Sequence, residues 1–241
     1  NFINNPSSAA FSWRNVEGGE DYNRSLTGLT FNSKKNKYSS STTLFYKTFN
    51  NDENRPFNYL IEESDSYGFR HIGKFPLNSF DFSYGLEYSD ENYLFSTWDE
   101  YGSNNQSIIS QQTQNRKNYN YFLQLDKSFK NSFLTIGIGS NKTNYDWVDE
   151  TESTTLSYNT KNIISPRISY NHNLDKISIF GNISHGFSSP NIDETLDENG
   201  IVNPDIKPET GWNYEVGIIG STNDNSLSVS YTHLRAHETA R

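Results

Sequence analysis

The sequence contains no cysteine and no methionine, and only 32% of its 241 residues are hydrophobic. The missing cysteines exclude a disulfide framework, a thiolate metal site and a cysteine nucleophile. An ordinary soluble domain is roughly 45–50% apolar, so a conventional packed core is not expected. No stretch approaches the roughly 18 consecutive apolar residues of a membrane-spanning helix. Positive charge is scarce too, because 20 Lys and Arg stand against 29 Asp and Glu, and the net charge of -9 argues against nucleic acid as a partner.

Aromatic residues, in contrast, are abundant. The chain has 16 Tyr, 16 Phe and 4 Trp, whereas disordered segments are poor in aromatics. We therefore expect a folded chain. It begins at Asn1, without an initiator methionine or a segment that resembles a signal peptide. Processing or truncation of the natural N-terminus is the expected explanation.

Apolar and polar residues alternate with a period of two along much of the chain. From Phe80 to Tyr88 every second residue is Phe, Tyr or Leu, and the residues between them are Asp, Ser, Gly and Glu. This alternation indicates β-strands with one apolar and one polar face. It also predicts strands near 118–126 (with Phe122 as an exception), 134–139, 164–170, 177–184 and 212–218, and weaker ones at 22–32, 38–49 and 66–74.

The connections between these strands alternate between short and long. Short polar turns are expected near 34–37, 76–78, 130–131, 175–176 and 222–225, and long polar loops near 50–61, 90–115, 144–160 and 188–211. Strands of about 10–12 residues match the roughly 9–11 of a tilted membrane-spanning strand, whereas globular strands mostly have about 5–6. Aromatic residues near strand ends, such as Tyr88, Tyr119 and Phe129, are typical of the girdles at membrane interfaces.

These features predict an all-β fold, namely a fragment of an antiparallel up-and-down transmembrane β-barrel. We expect about 9–10 strands, with short periplasmic turns and long extracellular loops, and a polar face that lines a wet lumen. A soluble antiparallel sandwich also alternates apolar and polar residues. That alternative does not explain why the strands are so long, or why every second loop is long.

The segment around the strand that ends at Phe187 reads NISHGFSSPNIDETL and then GIVNPDIKPETGWNYEVGI. These motifs resemble the barrel of TonB-dependent outer-membrane receptors, in which a GFR-A-P-like strand end is followed by an NPDLKPE block and an aromatic strand. The earlier segments SSAAFSWRNVEGGEDYNR and RPFNYL are similar to such receptors from Bacteroidota-like bacteria. The matching residues are Gly186, Phe187, Pro190, Asn203, Pro204, Asp205, Ile206, Lys207, Pro208, Glu209 and Thr210.

Two details limit what this resemblance carries over. Ser188 stands where the family often has Arg, so no role of that Arg is transferred. Pro204 and Pro208 fix φ and lack N–H donors, so the block cannot be the interior of a paired strand. We interpret it as a rigid turn that identifies the family and does not contact ligand.

The resemblance implies uptake of a scarce nutrient, most often a ferric siderophore or a similar iron complex, across the bacterial outer membrane. Uptake would be energised by the TonB complex acting on a plug domain. Such barrels have about 22 strands and a plugged lumen, so residues 1–228 are expected to be a partial barrel without plug, TonB box or closing strands. The implied partners are outer-membrane lipid, the TonB complex and an extracellular small ligand. A passive porin and a secreted soluble β-sheet adhesin are the alternatives.

The last residues have a different expected origin. Val229–Thr239 reads VSYTHLRAHET, which one reading frame of a common transposon-end sequencing adapter encodes. We interpret residues 229–241 as adapter-derived, against the alternative of a genuine strand at Ser226–Tyr231. His233 and His237 are therefore left out of any metal-site argument.

Neither a cofactor site nor catalysis is expected. His71, His172 and His185 fall on the apolar face by the period of two, and a metal site needs several convergent ligands. The acidic residues Asp193, Glu194, Asp197 and Glu198 lack the spacing of an EF-hand and are interpreted as a solvated loop. No GxSxG, HExxH or P-loop motif occurs, so no enzyme is predicted.

The candidate functional residues lie on the polar face and in the loops. Arg70 and Arg167 are predicted to pair with plug carboxylates, because guanidinium groups favour such contacts. Trp98 and Tyr101, in the predicted loop 90–115, are expected to contact ligand together with the loop 188–211. The remaining polar-face residues are expected to be solvated in the lumen: Asp81, Glu87, Asp126, Asn182 and Glu215.

Overall fold

A computed structural model describes residues 18–55, 58–99, 107–189, 207–221 and 226–237. Eleven antiparallel strands form one sheet, and each strand pairs with the next along the chain except at β7. The strands are β1 (Gly19–Lys35), β2 (Tyr38–Asn54), β3 (Tyr59–Leu77), β4 (Phe80–Trp98), β5 (Ile108–Ser128), β6 (Ser132–Asp149), β7 (Thr154–Asn159), β8 (Ile163–Leu174), β9 (Ile177–Ser188), β10 (Glu209–Ser221) and β11 (Ser226–His237).

This architecture confirms the predicted up-and-down antiparallel sheet. β1 and β11 do not pair in the described part of the chain, so the sheet is open, as expected of a partial barrel. Two strands were not predicted from the alternation: β11, which contains most of the segment interpreted as adapter-derived, and β7, which lies in the predicted loop 144–160. β7 pairs with the second half of β6, while β8 pairs with the first half of the same strand.

The short turns form where the sequence predicts them. β1–β2, β3–β4 and β8–β9 are joined by two residues each, and the first turn residue has a positive φ: 54° at Asn36, 56° at Asn78 and 52° at Asp175. Asn and Asp tolerate this left-handed region better than other non-glycine residues. The predicted turn at 222–225 lies outside the described residues.

The strand register keeps the alternation in phase across the sheet. One face, which we call the polar face, carries a row of consecutive register partners: Asp81, Asp126, Thr135, Ser169, Asn182 and Glu215. The opposite, apolar face carries the neighbouring row Phe82, Leu125, Ile136, Ile168, Ile183 and Tyr214. His71, His172 and His185 lie on the apolar face, as the alternation predicted.

Burial distinguishes the two faces. The buried hydrophobic residues among those described are Leu60, Tyr145, Trp147 and Ile163, and all four lie on the polar face. On the apolar face Ile168 is 42% exposed. Because there is one layer of sheet, the position of all four on one face is consistent with a sheet that curves around that face. The apolar side chains thus point outward, where lipid rather than a protein core would cover them.

Four glycines explain how aromatic rings fit on the strands. Each lies beneath the ring of its direct register partner: Gly68 under Phe45, Gly73 under Tyr84, Gly85 under Phe122 and Gly217 under Phe180. An added Cβ at any of these glycines would meet ring atoms well inside van der Waals contact. Phe122, the exception to the alternation of β5, is therefore accommodated on the polar face by Gly85.

The strands extend well beyond the predicted boundaries at the long-loop end. β4 runs to Trp98 and β5 starts at Ile108, so most of the predicted loop 90–115 is paired strand. The predicted loop 50–61 is likewise strand except near residues 55–58. A strand of 19 residues such as β4 is about 60 Å long, more than a tilted strand needs to cross the roughly 25 Å apolar band. In the excess, polar and apolar residues are mixed on both faces, for example Leu94 on one and Phe95 on the other, so the alternation is lost there.

β11 pairs with β10 from Ser226 to His237. A backbone ladder of this kind needs only an extended segment, so it is compatible with receptor sequence and with an adapter-encoded tail. The origin of residues 229–241 stays a prediction.

Candidate functional site

The polar face carries a ladder of side-chain hydrogen bonds across four strands near mid-height. Arg70 of β3 forms an ion pair with Glu87 of β4, whose carboxylate also accepts from Asn120 Nδ2 at 3.4 Å. Asn120 Oδ1 accepts from Asn141 Nδ2 of β6 at 2.5 Å. The Arg70 side chain is 60% exposed. A solvent-exposed ion pair of this kind contributes little to stability. Because both side chains lie on the polar face, they give this wall a polar lining.

Further toward the long-loop end, a charged cluster joins β3, β4 and β5. Arg116 forms an ion pair with Glu91, and Glu91 Oε1 also accepts from Ser64 Oγ at 3.2 Å. Arg116 Nε is buried and has no hydrogen-bond partner in the described part of the chain. Leaving a donor of a charged group buried and unsatisfied is costly. The Arg116 side chain as a whole is nonetheless 42% exposed, so the guanidinium stays accessible to a further acceptor.

A second cluster lies beside it and uses β2, β3 and β4. The Glu62 carboxylate accepts from Asn51 Nδ2 at 2.9 Å and from the Tyr93 hydroxyl. Asn51 is 4% exposed, and its Oδ1 has no partner among the described residues. An open depression of ≈ 220 Å³ is lined by Glu91, Tyr93, Gln114 and Arg116. We call these two clusters together, Asn51, Glu62, Ser64, Glu91, Tyr93, Gln114 and Arg116, the upper wall.

β7 gives the upper wall an aromatic flank. Tyr145 and Trp147 of β6 are 4% and 5% exposed on the polar face, and the Tyr145 ring lies 6.1 Å from that of Tyr158 on β7. Burial, with a smaller contribution from Tyr145, raises the pKa of Tyr158 above its usual value. The Tyr158 hydroxyl therefore stays protonated and neutral at physiological pH. Asp149 holds the connecting turn by accepting from the backbone N–H groups of Thr151 and Glu152.

A tyrosine row marks where the apolar belt ends on the outer face. The rings of Tyr88 and Tyr119 are 5.2 Å apart, and Tyr67 and Tyr88 both donate to Asp90 Oδ2, at 3.2 and 3.0 Å. Aromatic rings with a polar tip are typical of the membrane–water boundary. The upper wall starts at Glu91, one residue past Asp90, so it lies above this boundary at the long-loop end.

Across the described ranges, no helix is long and apolar enough to cross a membrane. Within those ranges no three His, Asp or Glu side chains converge as metal ligands. The acidic group Asp193, Glu194, Asp197 and Glu198 lies outside the described residues.

Comparison with known families decides the classification. A family model described as "TonB dependent receptor-like, beta-barrel" matches residues 1–236. The chain belongs to this family. It is a family of transporters and receptors rather than enzymes, located in the bacterial outer membrane. No curated protein matches the sequence significantly.

Solved structures of TonB-dependent receptors share the fold at low identity. The alcaligin outer membrane receptor FauA from Bordetella pertussis has a TM-score of 0.74 at 11% identity, over 91% of this chain and 37% of that one. The siderophore receptor PiuA from Acinetobacter baumannii has a TM-score of 0.71 at 12% identity, over 90% and 40%. The copper transporter OprC gives 0.75 at 14% identity, over 88% and 38%. The chain thus spans about two fifths of the length of each.

The structure places the predicted arginines of this TonB-dependent receptor barrel on the polar face. Arg70 pairs with Glu87, whereas Arg167 donates to the neutral Gln124 side chain and lies across Gly137. Trp98 lies at the end of β4, where its Nε1 donates to Ser96 Oγ at 3.1 Å. Tyr101 lies outside the described residues.

The family motif is only partly described. Gly186 faces Gly211 across β9 and β10, and Phe187 is 38% exposed on the apolar face. Lys207 and Pro208 lead into β10, which begins at Glu209. Pro190, Asn203, Pro204 and Asp205 lie outside the described residues, so their interpretation as a turn stays a prediction.

Sequence reasoning missed the upper wall. Its residues fall at the edges of segments predicted as loops, or within them, because apolar and polar residues do not alternate there. One signal was present: Glu62 and Ser64, Glu91 and Tyr93, and Gln114 and Arg116 each recur at a spacing of two. The residue between the two members of each pair is also polar, so no apolar–polar alternation marks these segments as strands. Only the strand register brings the three pairs together.

Proposed function

We propose that the chain forms part of an outer-membrane transporter that takes up a scarce nutrient, namely a ferric siderophore or a similar iron complex. The carrying observation is the upper wall, a polar and aromatic lining above the membrane boundary that contains a partly exposed arginine, Arg116. The solved relatives include receptors for alcaligin, for ferric citrate and for ferric catecholates. Those ligand names support the class of ligand and not a particular compound.

The chemistry of the upper wall fits such a ligand. Ferric complexes of these classes present carboxylate, hydroxamate or catecholate oxygens, which are hydrogen-bond acceptors. The Arg116 side chain is 42% exposed, so its guanidinium is accessible to a ligand oxygen, and Tyr93 adds an aromatic ring on the same wall. Charge-assisted hydrogen bonds to a guanidinium are roughly twice as strong as neutral ones. A ligand oxygen that meets the accessible part of the guanidinium would therefore add a strong contact.

Replacing Arg116 with glutamine is expected to weaken ligand binding about tenfold or more, which corresponds to about 1.4 kcal/mol, since the charge-assisted bond is lost. The measurement is equilibrium binding and uptake of ⁵⁵Fe complexes of a hydroxamate, a catecholate and citrate by cells expressing the complete receptor. Lys117→Gln is the matched control, because Lys117 is the next residue, points to the opposite face and also lies 4.0 Å from a carboxylate, Asp90. Equal losses in both variants, or iron-independent solute leakage typical of a porin, would contradict the proposal.

The plug contact also remains a proposal. Of the two arginines, Arg167 is the stronger candidate to meet a plug carboxylate, because its described partner, Gln124, is neutral. Arg70 already has its charge compensated by Glu87. Uptake would be driven by the TonB complex through that plug, and Trp98 and Tyr101 would help capture ligand at the rim. We also propose that receptor sequence ends at residue 228 and that 229–241 is adapter-derived, which resequencing of the source DNA would test.

A further inference from the structure

Lysine side chains are concentrated at the short-turn end of the sheet. Lys35, Lys37, Lys127, Lys130 and Lys176 lie in the short turns or within two residues of them. Lys35 and Lys127 point to the apolar face, and the other three lie in the turns. No ion pair within 4.0 Å involves any of the five in the described part of the chain.

The opposite end of the same face has the reverse charge. Beyond the tyrosine row, the outward-pointing strand residues include five carboxylates: Asp52, Glu63, Asp65, Asp90 and Asp146. The cation among them is Lys117, which lies near Asp90. At the short-turn end, the turns also contain one carboxylate, Asp175, next to Lys176. Cations therefore outnumber carboxylates at that end of the outer surface, and carboxylates outnumber cations at the other end.

One lysine of the short-turn end is held in place by aromatic rings. The Lys127 Nζ lies 5.0 Å from the ring centroid of Phe80 and 5.8 Å from that of Phe129. Cation–π contacts of this length attract an ammonium group. Lys127 follows Leu125 on the apolar face, so the two rings fix the charge at the lower edge of the apolar belt.

Hydrogen-bonding groups lie at the same edge. Tyr170 OH donates to Ser132 Oγ at 2.9 Å, and Ser132 Oγ lies 2.6 Å from His172 Nδ1. Lys127 and Tyr170 are both register partners of Leu134, so their backbones are about 10 Å apart on one face. Lys176 follows in the next turn. We call Lys127, Lys130, Ser132, Tyr170, His172 and Lys176 the lysine edge.

We propose that the lysine edge binds the phosphate headgroup of an anionic phospholipid in the periplasmic leaflet. The apolar face meets lipid tails directly above this edge, and barrels of this type place their short turns on the periplasmic side. Each lysine near an anionic membrane surface raises the affinity for that surface about fivefold. The fixed Lys127 ammonium and the neighbouring hydroxyls supply charge and hydrogen bonds together. The inference rests on the proposed membrane insertion but not on the proposed ligand.

The test is native mass spectrometry of the complete receptor in detergent with equal amounts of phosphatidylglycerol and phosphatidylcholine. The receptor is expected to retain phosphatidylglycerol preferentially. The variant Lys127→Gln/Lys130→Gln/Lys176→Gln should reduce that preference at least about tenfold. The control Lys117→Gln/Lys142→Gln/Lys161→Gln, which removes three lysines outside this edge, should change it less than about twofold, because those side chains do not contribute to the headgroup site.

Three further results decide the interpretation. Lys127→Arg/Lys130→Arg/Lys176→Arg should keep the preference, because the three charges remain. This variant still tests the proposal if the glutamine variant does not fold. Excess soluble glycerophosphoglycerol should not displace the lipid, because the acyl chains also bind the apolar face; full displacement would indicate a soluble-anion site and overturn the proposal. A preference that is absent, or lost equally in the control, would also overturn it. Iron-complex uptake is read separately, so failure of the lipid site and failure of the transport proposal are distinguishable.

Discussion

Replacing Ile168 with arginine is expected to destabilise the membrane-inserted barrel by about 1–3 kcal/mol. An Arg on the lipid face costs about 2–4 kcal/mol at the midplane and about 0–1 near the interfaces, and Ile168 lies one register row above Tyr170 at the lower edge of the apolar belt. Ile168 lies between Ile136 and Ile183 in the apolar row and is 42% exposed in the sheet. In water, an exposed position of this kind would accept arginine at little cost. In a bilayer the guanidinium would displace lipid tails. The measurement is the free energy of unfolding of the complete receptor, by denaturant titration in phospholipid vesicles.

Ser169→Arg is the matched control. Ser169 is the next residue on β8, and its register partners Thr135 and Asn182 lie on the polar face. Asp126 is one strand further along the same row, so a cation is electrostatically acceptable there. We expect a change of about 1 kcal/mol or less, as at ordinary surface positions. If Ile168→Arg were as mild as Ser169→Arg, the apolar face would not meet lipid, and the barrel interpretation would fail.

The part of the fold that the sequence predicted is the part where each strand separates lipid from water. Between Phe80 and Tyr88 every second side chain must be apolar, and the pattern is visible because the two environments differ. Past Asp90 apolar and polar residues no longer alternate along β4, as expected where the two faces are not in different environments. The strand continues to Trp98 nonetheless, since hydrogen bonding to β3 and β5 needs no apolar face. Prediction from alternation therefore stops at the membrane boundary, below the upper wall.

The candidate site could not be predicted from the sequence for a related reason. Arg116 and Glu91 are 25 residues apart, and they meet because Arg116 is the register partner of Glu91. In a hairpin, the register follows from the turn type and the loop length. The connection from β4 to β5 is long, so its length does not predict which residues of the two strands pair. The two-residue turns at Asn36 and Asn78 were readable, since Asn tolerates positive φ. Prediction succeeded at the short turns and failed at the long-loop end, where a ligand site is expected.

Replacing Gly85 with alanine is expected to cost about 1–3 kcal/mol, the usual range for overpacking. The new Cβ would lie 2.7 Å from Cζ and 2.8 Å from Cδ1 of the Phe122 ring, with Cε1 closer still. The ring must move away from Gly85, so the contact that holds Phe122 against the polar face is lost. Gly139→Ala is the matched control, because Gly139 is the other register partner of Phe122 and an added Cβ there has contacts no shorter than 3.7 Å.

The two alanine variants should therefore differ in sign. Gly139→Ala is expected to be neutral or to stabilise by up to about 1 kcal/mol, because alanine restricts the unfolded chain and fits the strand. The double variant Gly85→Ala/Phe122→Ala should recover part of the loss, since the clashing ring is gone, and the cycle of single and double variants measures the coupling of the pair. Denaturant unfolding of the complete receptor in vesicles gives the free energy of unfolding of the wild type, the three single variants and the double variant. Equal effects at the two glycines would show that the Phe122 ring does not lie over Gly85, and the register of β4 against β5 would need revision.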